Sequence, residues 1–174
     1  GRALDALGDP PVAVRSSAAK EDTGQASAAG QHESFLAVHG VREVAKAVRA
    51  CWASLFSPRA VGYRAAFDHD GQRSDDLLMA VIVQRHVDAD VSGVMFTSAD
   101  PKDTTRIEAS WGLGPGVVEG RITPDAYRVT GDGSVTRTVA DKRKRLDRRG
   151  TRLVVRDVPA AGRNQPVIDD VTAR

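Results

Sequence analysis

Hydrophobic positions in this chain come in short blocks whose spacing changes along its length. Val12, Ala13 and Val14 form an apolar run behind Pro10 and Pro11, which predicts a short strand. Small, polar and charged residues replace it, and a strand-like pattern resumes only at Phe35, Leu36 and Val38. Residues 16–34 are therefore expected to form a loop between two strands, a hairpin lid. From Val41 the period lengthens: Val44, Val48, Trp52 and Leu55 recur every three or four positions, which is one face of an amphipathic helix. Ser57 and Pro58 then supply an N-cap and a first helical residue for a second helix through Val61, Arg64 and Ala65. The polar stretch "DHDGQRSDD" closes it.

The second half reads as strands. Residues 77–83 are continuously apolar and rich in β-branched side chains, which predicts a central strand covered on both faces. Residues 93–97 and the stretch "TRIEASWG" supply two more strands, and "LGPGVVEGRITPD" is a turn-rich connection. "AYRVTGDGSVTRTV" is a hairpin about Gly131, Asp132 and Gly133. Residues 153–155, after a basic run, are expected to continue the sheet. No internal repeat interrupts this order.

Composition narrows the picture. At 174 residues and 41% hydrophobic, the chain can bury one ordinary core, as one domain or two small lobes. Lys and Arg number 25 against 23 Asp and Glu, so the net charge of +2 gives only a weak field, and nothing demands nucleic acid. Cys51 is the single cysteine, which excludes an internal disulfide, and no Cys and His cluster has zinc-site spacing. A reducing cytoplasm is the expected compartment. No apolar run has membrane-spanning length, and no membrane partner is expected. The chain begins without Met and stops at "DDVTAR", which fits a segment of a longer polypeptide.

The candidate chemistry centres on "VAVRSSAAKEDTGQASAAGQHES". A strand that ends on Arg15, followed by Ser16 and Ser17, offers a bidentate cation beside hydroxyl and backbone donors, a combination suited to phosphate oxygens. Gly24, Ala26, Ala28, Ala29 and Gly30 let backbone N–H groups approach a polyphosphate closely. By composition alone a surface lid without a ligand explains them as well. The stretch is neither the Walker pattern nor the dinucleotide fingerprint.

The wording of several blocks goes further. "VAVRSSAAKED", "AAGQHESFL", "VRACWASLFSPRAVGYR", "MAVIVQRHV", "SGVMFTSADP" and "IEASWGLGPGVVEGRITPDAY" resemble the nucleotide-binding domain shared by phosphoenolpyruvate synthase, pyruvate phosphate dikinase and rifampin phosphotransferase. They occur in the family's order and span residues 12–127. The resemblance implies an α+β, ATP-grasp-like domain with mixed or antiparallel sheets and packed helices. One lobe with the glycine-rich lid would cover about residues 10–70 and a second about 76–158, so that this chain is the central part of the whole domain. It also implies ATP as the ligand, magnesium as its companion, and a carrier histidine on another domain that takes phosphoryl to an acceptor.

Residue by residue, Arg15 matches the family arginine that contacts nucleotide phosphates, where it can also neutralise charge on the transferred group. An ion pair with Glu21 or Asp22 is its alternative role. Gly30 and Ser34 match glycine-loop positions, and Gln31 between them is carried with them as a nucleotide contact. Gln84 matches the segment that lines the adenine; its amide can donate to and accept from a base edge, or simply cap a sheet end. Glu108 could sit near phosphates or metal, or form a structural ion pair. Lys142 is the one residue of the "KRKR" run expected near a nucleotide. Lys20 and His32 are read as lid residues, Trp52 and Trp111 as packing residues, and Cys51 as inert packing.

Two departures matter. The family loop carries a phenylalanine after its serine, whereas here Ala28 follows Ser27. The family's earlier lysine segment, and the later acidic segment with a Gln and Arg motif that completes its magnesium site, have no counterpart in residues 1–174. No metal ligand is assigned, and the isolated chain is expected to bind ATP weakly or not at all. A non-catalytic nucleotide-sensing or interaction module is the alternative to a phosphotransferase fragment.

Overall fold

Strand structure does not stop where the apolar residues do. The computed structural model describes residues 1–18, 22–23, 26–27, 33–67, 78–97 and 104–174, which divide into two units, Gly1–His86 and Val87–Arg174. After a short helix α1 (Arg2–Ala6), strand β1 runs over Val12–Ala18, through Arg15, Ser16 and Ser17. It does so because it is paired on both sides, antiparallel to β4 (Ser34–Val38) and to β5 (Met79–Arg85), in the order β4-β1-β5. Ladder hydrogen bonds hold backbone that side-chain burial alone would leave loose. The expected loop thus starts later than residue 16. Within it, β2 (Asp22–Thr23) and β3 (Ala26–Ser27) pair as a short antiparallel ladder. The rest of the expected lid lies outside the described residues.

The apolar run at 77–83 is corrected in its place. Among the described strands β1 is central and β5 is an edge, with Ile82 half exposed. Its pairing with β1 also puts β5 in the first unit, not in a lobe starting near residue 76. Composition marked a strand; the neighbour it pairs with decided how much of it is covered.

Helix α2 (Val41–Ser54) covers one face of this sheet. Its Val44, Ala47 and Cys51 pack with Val12 and Val14, and partly buried Phe35, Val38, Met79, Val81 and Val83 extend the cluster. Trp52, expected on the apolar stripe, is half exposed instead, with its indole N–H donating to the Met79 carbonyl at 3.2 Å. Cys51 is fully buried, as its expected packing role requires. Helix α3 (Pro58–Phe67) starts as the sequence predicts, the Ala60 N–H donating to the Ser57 hydroxyl at 3.2 Å.

In the second unit, β6 (Val91–Phe96), β7 (Thr105–Trp111), β8 (Asp125–Val129) and β9 (Val135–Thr138) form an antiparallel sheet in chain order. A short helix, α4 (Pro115–Val118), lies in the turn-rich connection, and the β8–β9 hairpin turns where the sequence predicted. Ala109 and Tyr127 pack against Val167 and Ala173, the latter in α6 (Asp170–Ala173), which follows α5 (Ala160–Arg163).

Strands β10 (Lys144–Arg149) and β11 (Arg152–Asp157) do not continue that sheet but form a ribbon of their own. A single parallel bridge between Gly112 and Leu146 joins ribbon and sheet. Gly112 makes the approach possible: its φ is +86°, and a Cβ there would stand 2.3 Å from the Leu146 carbonyl oxygen. The chain is thus α+β with antiparallel sheets, and no helix among the described residues is long and apolar enough to cross a membrane.

Candidate functional site

Side chains on a strand alternate between faces, so β1 sorts its own residues. Val12 and Val14 point into the core beneath α2, which sends Ser16 to the same side. Ala13, Arg15 and Ser17 take the other face. Across the ladders, Arg15 lies opposite Ser34 on β4 and opposite Ile82 on β5. Ala13 lies opposite Gln84, and Ser17 opposite Ala80. Directly opposed residues share a face with Cβ atoms about 5 Å apart, and diagonal neighbours such as Arg15 and Gln84 are roughly 7–8 Å apart.

The face away from α2 therefore gathers Arg15, Ser17, Ser34 and Gln84, with Arg15, Ser34 and Gln84 exposed. A guanidinium, two hydroxyls and an amide on one open surface can receive an anionic group and the polar edge of a ring beside it. Ser16, paired with Arg15 in the sequence reading, is separated from it by the pleat. Ser17 takes its place, and the alternation starting at Val12 and Val14 was the signal for it.

The other expected site residues fall elsewhere. Gly30 and Gln31 lie outside the described residues, as do Lys20 and His32. Glu108 is in the second unit on β7, 3.6 Å from Arg106 Nη2, a loose and partly exposed ion pair.

Lys142 requires a correction. Its side chain is wholly buried, Nζ donating to Asp125 Oδ1 at 2.6 Å and to the Ala140 carbonyl at 3.1 Å. Asp125 also accepts from the Ala140 N–H at 2.9 Å and the Val167 N–H at 3.0 Å. An ammonium so enclosed has no open side for a nucleotide, so Lys142 leaves the candidate set. Its work is to neutralise a carboxylate that gathers three segments of the second unit. Close by, burial pushes the Tyr127 hydroxyl above its ordinary pKa, while it donates to the Ile168 carbonyl at 3.1 Å.

Among the described residues, no group of three His, Cys, Asp or Glu stands close enough to hold a metal ion. The donors on the Arg15 face suit phosphate oxygens and supply no carboxylate for a cation.

Compared with known protein families, residues 2–174 match "Pyruvate phosphate dikinase, AMP/ATP-binding domain". Among curated proteins, the chain is 45% identical over 168 residues to a probable phosphoenolpyruvate synthase of Methanothermobacter thermautotrophicus, covering 93% of this chain and 24% of that protein. It is 42% identical over 164 residues to a probable phosphoenolpyruvate synthase of Archaeoglobus fulgidus, covering 91% of this chain and 21% of that one. To the phosphoenolpyruvate synthase of Pyrococcus furiosus it is 48% identical over 124 residues, 68% of this chain and 14% of the relative. The chain thus spans a quarter or less of the length of these relatives. With the family match running over nearly every residue, this chain belongs to the pyruvate phosphate dikinase AMP/ATP-binding domain family.

Proposed function

We propose that this chain is the ATP-binding portion of a cytoplasmic, dikinase-type phosphotransferase with an ATP-grasp-like fold. In the whole protein, ATP phosphorylates a carrier histidine on another domain, which passes the phosphoryl group to pyruvate, as in a phosphoenolpyruvate synthase, or to a rifamycin-type or other small acceptor. The observation that carries this reading is the gathering of Arg15, Ser17, Ser34 and Gln84 on the one face of β4-β1-β5 that α2 leaves open.

Phosphoryl transfer is catalysed mainly by positioning and by neutralising charge, which these residues supply. Arg15 holds phosphate oxygens bidentately and stabilises the charge that grows on them in the transition state. The hydroxyls of Ser34 and Ser17 fix the orientation of the same group. Gln84, diagonal to Arg15, pairs with the adenine edge. Gly30 and Gln31 are assigned as further phosphate contacts on the strength of the sequence resemblance alone. The divalent ion that accompanies ATP is not assigned to residues of this chain.

Calorimetric titration of the full-length protein with Mg-ATP tests the reading. Arg15→Ala is expected to weaken binding at least about tenfold, the loss of a charge-assisted pair. Affinity equal to that of the wild type overturns the role given to Arg15.

A further inference from the structure

Phe35 and Val38 both pack into the core beneath α2, although three residues separate them. In a regular strand residues three apart point to opposite faces. The register resolves the conflict. Val38 lies opposite Val12, but Phe35 lies opposite Val14 and Ser34 opposite Arg15, so Leu36 and Ala37 together face the single residue Ala13. This is a β-bulge, one residue too many on β4. Ala37 carries it: its φ is +58°, left-handed backbone that glycine ordinarily occupies, and it is buried.

The bulge decides which residue meets Arg15. Carrying the Val12 to Val38 pairing onward without it would place Leu36 opposite Val14, Phe35 opposite Arg15 and Ser34 opposite Ser16. A phenyl ring would then cover the guanidinium, and the hydroxyl would be turned into the core. We propose that Ala37 is a positioning residue for the nucleotide face, its left-handed conformation setting the bulge that turns Ser34 towards Arg15. This rests on the nucleotide reading of that face. A small residue at position 37 tolerates the conformation; a β-branched one drives the strand to regular extension and flips the pair.

The test uses the full-length protein, with ATP affinity and the thiol labelling of Ser34→Cys, located by peptide mass spectrometry, as two readouts. Ala37→Val is expected to weaken ATP binding about tenfold or more and to slow labelling at position 34 by a similar factor. Ala37→Gly is expected to retain both. Deleting Ala37 removes the extra residue, so a regular ladder still puts Ser34 opposite Arg15. That variant is expected to bind ATP and to label as the wild type does, which a purely structural role for a buried residue would not allow.

A folded Ala37→Val that keeps wild-type affinity and labelling overturns the proposal. Should Ala37→Val fail to fold, the deletion decides: loss of folding or of ATP binding there overturns it, and retention supports it. Arg15→Ala separates the two readings. If it binds ATP like the wild type, the nucleotide reading falls and this proposal with it. If it loses binding while Ala37→Val keeps it, the proposal falls alone.

Discussion

Lys142 Nζ stands 2.6 Å from Asp125 Oδ1, and neither side chain has any exposed surface. The pair joins β8 to the segment before β10, and through the Val167 N–H to the C-terminal segment that packs on the sheet. Removing one member of a buried pair leaves an uncompensated charge and typically costs about 3–5 kcal/mol. Asp125→Ala also orphans the Ala140 and Val167 amides, so it should fall at the upper end, with Lys142→Met below it. Denaturant unfolding of the full-length protein ranks the two. At a temperature where Lys142→Met is folded, its ATP affinity should equal the wild type's; a tenfold loss would return Lys142 to the ligand set.

The pleat of β1 sends two neighbouring serines, Ser16 and Ser17, to opposite faces of the sheet. Ser17→Ala, on the Arg15 face, is expected to weaken ATP binding about tenfold, the worth of one hydrogen bond to a charged group at the low end of its range. Ser16→Ala, on the side of α2, is expected to leave affinity unchanged. Titration calorimetry on both variants checks the assignment, and equal effects would contradict it.

Gly112 and Gly133 have similar positive φ values, +86° and +81°, but different surroundings. A Cβ at Gly133 meets nothing within 4 Å, so Gly133→Ala should cost only the left-handed backbone penalty, about 1–2 kcal/mol. At Gly112 the added carbon also strikes the Leu146 carbonyl oxygen. Gly112→Ala should therefore cost more, roughly 2–4 kcal/mol, and loosen the β10–β11 ribbon from the sheet. Hydrogen exchange at the Leu113 amide, which donates to the Leu146 carbonyl at 2.7 Å, reports that loosening directly.

Asp132 titrates at the tip of the β8–β9 hairpin. The Thr130 hydroxyl donates to its carboxylate at 2.5 Å and the Ser134 N–H at 2.9 Å, and the pKa falls to about 2. A carboxyl whose folded pKa lies below its unfolded value near 3.8 stabilises the fold fully above that value. The support is lost as pH falls from there through about 2. Carbon-13 titration of the carboxyl should give a midpoint near 2, and one near 4 would mean that the turn bonds are absent in solution. Asp132→Asn should flatten the acid dependence of hairpin protection over that window.

Much of the local structure was written in residue order. The period of α2, the Ser57 and Pro58 start of α3, and the hairpin about residues 131–133 each follow from constraints within one or two turns of chain. The blocks resembling the nucleotide-binding family were legible there too, and residues 2–174 belong to that family. Alternation from Val12 and Val14 even held the answer to which serine accompanies Arg15. What it could not supply was the length of β1, because pairing with β4 and β5 carries that strand past its apolar residues.

Tertiary structure decided the rest. Lys142 was the one cation of the basic run expected near a nucleotide, until β8 brought a carboxylate to it from 17 residues away. The apolar run at 77–83 looked central until β1 took the middle of the sheet. Ala37 has no glycine to advertise its left-handed backbone, yet the demand that Phe35 and Val38 share one core fixes it there. Periodicity depends on backbone geometry, which every residue carries with it. Burial, charge pairing and register depend on partners distant in sequence, and only the folded chain chooses them.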